Sequence, residues 1–173
     1  MTTKKLIQQG NEGEYHALHS VLLLMGHWQQ QLGDATSKVL IAGVLNECVR
    51  KADLRIRGYW ITGDRVYLVL WLCKGKISDA IKFFYERLNE AVIHYSHHEE
   101  IKKELQLLPL FKYRCLLNED LIRLLIGERI ERPYYDQQLK YLKDELGRAD
   151  YCSLVDYSGA VGPVMIDIPQ IRN

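Results

Sequence analysis

Apolar and polar positions recur along this chain with two periods, and the switches between them predict its elements. Ser20 to Met25 (Ser-Val-Leu-Leu-Leu-Met) is a short unbroken apolar run of the kind a buried first strand shows. From Asp34, which has the side chain of an N-cap, Val39, Leu40, Val44, Leu45 and Val49 follow at helical spacing to about Ala52. Two runs rich in β-branched and aromatic residues come next, Leu54 to Ile61 and Arg65 to Cys73. The Thr62-Gly63-Asp64 between them is hairpin-turn chemistry. Lys76 to about Tyr95 carries Ile77, Ile81, Phe84, Leu88, Ala91 and Val92 as the stripe of a long helix. Leu107 to Leu116 reads as a fourth strand, and Pro109, which cannot donate to a ladder, assigns it to a sheet edge. Asn118 should cap a short helix through Ile126. Pro133 precedes a second helix, Tyr135 to Leu146, stopped by Gly147. Glycine and proline from Ser158 onward predict an irregular tail.

Strand, helix, hairpin, helix, strand is the split βαβ order, which makes the expected class α+β. It is a ferredoxin-like antiparallel sheet with helices on one face. The other face is left for a partner or for the additional C-terminal helices. A length of 173 residues fits one domain, with its core over about 15–157 and the tail over 158–173.

Composition adds exclusions. The chain is 47% hydrophobic and 26% charged, ordinary for a globular protein, and its net charge of +1 advertises neither nucleic acid nor membrane. Any such partner must be read from local charge. The apolar runs near the start are too short for a signal peptide or a membrane span, so a cytoplasmic location is expected. Cys48, Cys73, Cys115 and Cys152 form no Cys-x-x-Cys pair and read as buried free thiols. Gly-rich phosphate loops, Ser-His-Asp arrangements and nucleotide fingerprints are missing, which argues against the commoner enzyme classes.

The candidate chemistry lies in the hairpin. Alternate strand residues share a face, so Arg65, Tyr67, Val69 and Trp71 point one way and Val66, Leu68, Leu70 and Leu72 the other. By the same rule Arg55, Arg57 and Tyr59 share a face on the neighbouring strand. Paired, the strands would show three arginines, two tyrosines and a tryptophan together, suited to phosphates and stacked bases. The alternative is that the aromatics pack under the C-terminal helices and the arginines pair with acids. His94, His97, His98, Glu99 and Glu100 are dense in metal-ligand types, but they sit at a helix end, where histidine suits the dipole. His16 and His19 read as structural, and Tyr134-Tyr135 as an aromatic contact closing a helix start.

Three blocks carry a resemblance. Gly58-Tyr59-Trp60-Ile61-Thr62-Gly63-Asp64-Arg65-Val66-Tyr67-Leu68-Val69-Leu70-Trp71 resembles a strand in which an aromatic and an apolar residue precede Met-Pro-Asn-His-x-His and leucines. Pro109-Leu110-Phe111-Lys112-Tyr113-Arg114 resembles a Leu-Phe-x-x-Arg strand. Tyr141-Leu142-Lys143-Asp144-Glu145-Leu146-Gly147-Arg148-Ala149 resembles a Tyr-Ile-x-x-Asn-Pro-x-Arg-Ala helix end. In this order and spacing they are similar to the REP-associated, single-tyrosine transposases of the HUH group.

The resemblance implies a divalent metal, Mg or Mn, held by the two histidines, and a tyrosine that attacks the phosphate. The tyrosine falls on Tyr141 and the histidines on Arg65 and Tyr67. Guanidinium has no lone pair for a cation and a neutral phenol is a poor ligand; Glu145, one turn from Tyr141, could still ligate as a remnant, but one carboxylate makes no site. The expectation is therefore a transposase-like DNA-binding protein without a cofactor. It would recognise single-stranded or hairpin DNA through Arg55, Arg57, Tyr59, Arg65, Tyr67 and Trp71, and would not cleave it. Two alternatives stay open. One is an active tyrosine transposase, joining DNA to Tyr141 with arginine replacing the metal's charge and Lys140 or Arg148 assisting. The other is a protein-interaction domain. A homodimer, as members of the resembled family often form, is implied only by the resemblance.

Overall fold

The computed structural model describes residues 17–72, 76–96, 99, 102–103 and 107–169. Cys73, His16, His97, His98 and Glu100 lie outside the described residues. The chain forms β1 (Ala17–Met25), α1 (Trp28–Leu32), α2 (Asp34–Lys51), β2 (Arg55–Ile61), β3 (Arg65–Leu72), α3 (Ile77–Tyr95), β4 (Phe111–Cys115), α4 (Glu119–Leu125), α5 (Gln137–Gly147) and α6 (Leu154–Tyr157). The strands join in the order β2-β3-β1-β4, every neighbouring pair antiparallel. This is the α+β, ferredoxin-like arrangement, with β4 on an edge and starting just beyond Pro109.

Two apolar layers flank the sheet. On one face Leu23, Ile56, Ile61, Val66, Leu68 and Leu70 meet Ile41, Leu45, Phe84 and Leu88 of α2 and α3. On the other, Leu22 and Val69 meet Leu121, Leu124 and Leu125 of α4 and Leu139 and Leu146 of α5. The added C-terminal helices therefore cover the second face. Their starts are fixed by side chains that accept orphan helix N–H groups. Asn118 accepts from Leu121 N at 3.0 Å and Asp136 from Leu139 N at 3.0 Å. Arg132 ties the two helices together, reaching Asp120 at 2.7 Å and also pairing with Asp136.

A bulge decides which residues share a face. Ile56 pairs with Leu70 but Gly58 with Val69, so Arg57 is the extra residue and the alternation of β2 reverses beyond it. Gly58 sits where α4 crosses the strand, and a Cβ there would stand 2.4 Å from the Leu125 carbonyl. Beside it the buried Ser153 hydroxyl donates to Leu125 O at 2.6 Å and accepts from Tyr59 N at 3.1 Å, joining strand, helix and C-terminal loop.

Among the described residues the tail after Ser158 has no regular element, as expected, yet this C-terminal segment is pinned along the β2 edge. Ile61 N donates to Tyr151 O, Ser153 N to Tyr59 O and Asp167 N to Ile56 O, at 2.8–2.9 Å. The open edge of the sheet is thus covered.

Several local expectations are corrected. Asp34 is the first residue of α2 and Gly33 its cap, because the short helix α1, which hydrophobic spacing did not reveal, ends immediately before it. Tyr134 and Tyr135 are 63% and 74% exposed, and the α5 start is closed by Asp136 instead. Cys115 is exposed on the edge strand, whereas Cys48 and Cys152 are buried, and burial pushes their thiols up to about 12 and about 11. No helix among the described residues is long and apolar enough to cross a membrane.

Candidate nucleic-acid interface

The reversal at Arg57 breaks up the face read from simple alternation. Tyr59 leaves it: the ring is fully buried on the α2–α3 side and its hydroxyl donates to Asp156 at 3.3 Å. Burial, with the neighbouring Asp156 charge, raises its pKa far beyond the ordinary phenol range. Trp60 takes its place. It faces Tyr67 directly across the hairpin, and the two rings stack with centroids 5.0 Å apart. The glycine inside the strand, Gly58 in Arg-Ile-Arg-Gly-Tyr-Trp-Ile, was the sequence signal for the bulge.

The remaining residues fall into two groups. At one end of β2 and β3, Arg55 pairs in register with Trp71, and the Arg57 guanidinium lies 5.1 Å over the Trp71 ring. Asp167 from the tail sits 3.3 Å from Arg57 and 4.0 Å from Arg55.

At the other end, cross-strand register assembles two rows. Arg65 is paired with Leu24 and Leu24 with Lys112; Tyr67 is paired with Leu22 and Leu22 with Arg114. Directly paired residues project to the same face. Arg65, Lys112 and Arg114 therefore share one face at one end of the sheet, Arg65 on β3 next to the Trp60–Tyr67 stack and the other two on the β4 edge, one strand beyond β1. All three cations are exposed. Arg65 is paired with the adjacent Asp64 at 3.4 Å, and Lys112 and Arg114 have no acidic partner among the described residues. Its contact with the Tyr67 hydroxyl, then the Asp64 charge, raises the Arg65 pKa, so the guanidinium stays charged. A groove of about 400 Å³, lined in part by Leu24, Met25, His27, Gln30, Asp64 and Lys112, opens at this end of the sheet. Lys112 and Arg114 were missed in the sequence, although Phe-Lys-Tyr-Arg-Cys alternates; only the pairing with β1 joins them to Arg65.

Arg65 and Tyr67 stand where the resemblance puts two metal-binding histidines. One is a guanidinium engaged with Asp64, which has no lone pair for a divalent cation, and the other a neutral phenol stacked on Trp60, which is a poor ligand for one. The residues present do not fit such an ion. Among the described residues no three His, Cys, Asp or Glu side chains converge. Glu145 is half-buried on α5. Tyr141 is 66% exposed and lies off the Leu139–Leu146 side that packs on the sheet. Among the described residues no hydrogen bond or ring contact joins it to Arg65 or Tyr67.

No protein-family model matches the chain, and no curated protein does. Among solved structures it is similar to the crystal structure of a putative transposase from Deinococcus radiodurans R1. The two are 15% identical with a TM-score of 0.51, over 80% of this chain and 98% of that one. The fold of this chain is transposase-like.

Proposed function

We propose that this chain is a transposase-like DNA-binding protein that recognises single-stranded or hairpin DNA and does not cleave it. The observation that carries the reading is the register placing Arg65, Lys112 and Arg114 on one face at one end of the sheet, with stacked Trp60 and Tyr67 on that face next to Arg65. Three flexible cations follow a phosphate backbone, and adjacent aromatic faces and a groove receive bases released from a stack. A double helix offers no such bases, which favours single strands, loops and hairpin ends. The likeness in fold to a putative transposase agrees with DNA as the partner.

The absence of cleavage follows from chemistry. A phenol is a useful nucleophile only when charge on the attacked phosphate is stabilised or its own proton is drawn away. The residues at the matching positions do not fit a metal ion, and among the described residues no base or cation is hydrogen-bonded to Tyr141. Fluorescence anisotropy with labelled hairpin and single-stranded oligonucleotides tests the reading: binding that weakens steeply with salt supports it, and no binding at low salt refutes it.

A further inference from the structure

We infer that Arg55 and Arg57 form a second phosphate site on the same protein, closed in the free molecule by the carboxylate of Asp167. The inference rests on the DNA-binding reading for its ligand, and on separate residues for its site.

The bulge turns Arg57 out of the β2 ladder, and its backbone is held there, the Tyr157 hydroxyl donating to Arg57 O at 2.8 Å. Its guanidinium is only 15% exposed, over the Trp71 ring. A guanidinium has five N–H donors in a planar fork. Asp167 Oδ2 approaches only one nitrogen, Nη2, while Nε and Nη1 are buried without a hydrogen-bond partner, and Oδ2 itself accepts none. The pair is close in charge but poor in geometry. Buried, fixed and under-satisfied donors suit an anion with several oxygens, which a phosphodiester supplies and one carboxylate oxygen does not. Arg55, 46% exposed and 4.0 Å from the same carboxylate, adds a second cation at the rim.

The carboxylate is also poised to leave. The tail is anchored elsewhere, with Asn46 donating to Pro163 O at 2.9 Å and accepting from Met165 N at 2.7 Å, and with Val164 buried. Asp167 itself is held by its backbone N–H on Ile56 O, and its side chain is 39% exposed. A side-chain rotation opens the site without unpinning the tail. Asp167 thus acts as an internal counter-ion that competes with phosphate and raises the threshold for binding.

The test compares wild type, Asp167→Asn and the double variant Asp167→Asn/Arg57→Gln. Two probes are used: inorganic pyrophosphate, read by the rise in melting temperature, and a labelled thymidine oligonucleotide, read by anisotropy. Asp167→Asn keeps the backbone bond to Ile56 and should bind both probes more tightly, by about fivefold for a partly exposed ion pair. The gain should vanish in the double variant. Should that variant fail to fold, Asp167→Asn/Arg57→Lys keeps the charge without the fork and should lose most of the gain. Pyrophosphate binding no tighter in Asp167→Asn than in wild type, or a gain that survives loss of Arg57, overturns the inference. Oligonucleotide binding by wild type with no such gain leaves DNA binding standing without this site. A pyrophosphate gain with no oligonucleotide binding by any variant keeps the anion site and refutes the DNA reading.

Discussion

Trp60 stacks on Tyr67 across the β2–β3 pair, with ring centroids 5.0 Å apart and 19° between their planes. Both rings are half-buried, so one side supports the α4–α5 layer while the rest of each ring remains accessible beside Arg65. Such a floor contributes to nucleic-acid binding by stacking, which involves no counterion release. Trp60→Ala should therefore weaken oligonucleotide binding about tenfold, corresponding to the loss of one stacked base, with the slope of affinity against salt unchanged. Titrations at several salt concentrations check it; a loss of affinity that tracks a flatter slope would mean that the variant had disturbed the cations instead.

The close crossing of α4 over β2 depends on Gly58. Gly58→Ala places a methyl group 2.4 Å from the Leu125 carbonyl, part of a helix that is also held through Ser153. Neither backbone can retreat without repacking Leu121, Leu124 and Leu125. The expected cost is about 1–3 kcal/mol, and the melting temperature should fall by several degrees. A neutral substitution would show that the crossing is looser than this geometry implies.

Hydrophobic spacing carried most of the fold because each strand and long helix buries one face against a neighbour. Val66, Leu68 and Leu70, or Ile81, Phe84 and Leu88, announce their elements by period alone. What it could not carry was anything decided by tertiary contact. The bulge at Arg57 is allowed by Gly58 but is imposed by α4 lying across the strand, and it alone moves Tyr59 into the core and brings Trp60 out. Likewise, the grouping of Lys112 and Arg114 with Arg65 needs β1 between them, a pairing remote in sequence. Asp167 reached Arg57 through a tail with no periodic signal at all.

The C-terminal layer should show a defined response to acid. The Asp136 carboxyl is held below the ordinary aspartate value of 3.8, first by the Leu139 N–H it accepts and further by Arg132. A group whose pKa is lowered by folding stabilises the protein in full above its unfolded value, and the contribution is lost as pH falls through the lower folded value. Asp136→Asn preserves a good cap but removes the charge. Its deficit relative to wild type in urea unfolding should be largest near neutral pH and should shrink below pH 3.8. A deficit independent of pH would assign the whole effect to the cap geometry. Asn118→Ala, which removes an uncharged cap from α4, should cost about 1 kcal/mol at every pH.

Chemistry at Tyr141 separates binding from cleavage. Incubating the protein with single-stranded hairpin DNA, with or without Mg²⁺ or Mn²⁺, should give no covalent protein–DNA species on a denaturing gel. Neither ion at millimolar concentration should raise the melting temperature, since specific binding to the folded state would stabilise it by mass action. An adduct that disappears in Tyr141→Phe would establish an active transposase, and a metal-dependent rise lost in Glu145→Ala would reveal a rebuilt metal site.

The proposed DNA face stands most directly on the salt dependence of oligonucleotide binding by wild type and by the variant Arg65→Ala/Lys112→Ala/Arg114→Ala. For single strands each phosphate contact contributes about 0.7 to the slope of log affinity against log salt. If the three side chains each engage one phosphate, the variant should bind more weakly and its slope should be flatter by about 2. An unchanged slope in a variant that is still folded would place the contacts elsewhere and contradict the assignment of this end of the sheet face to DNA.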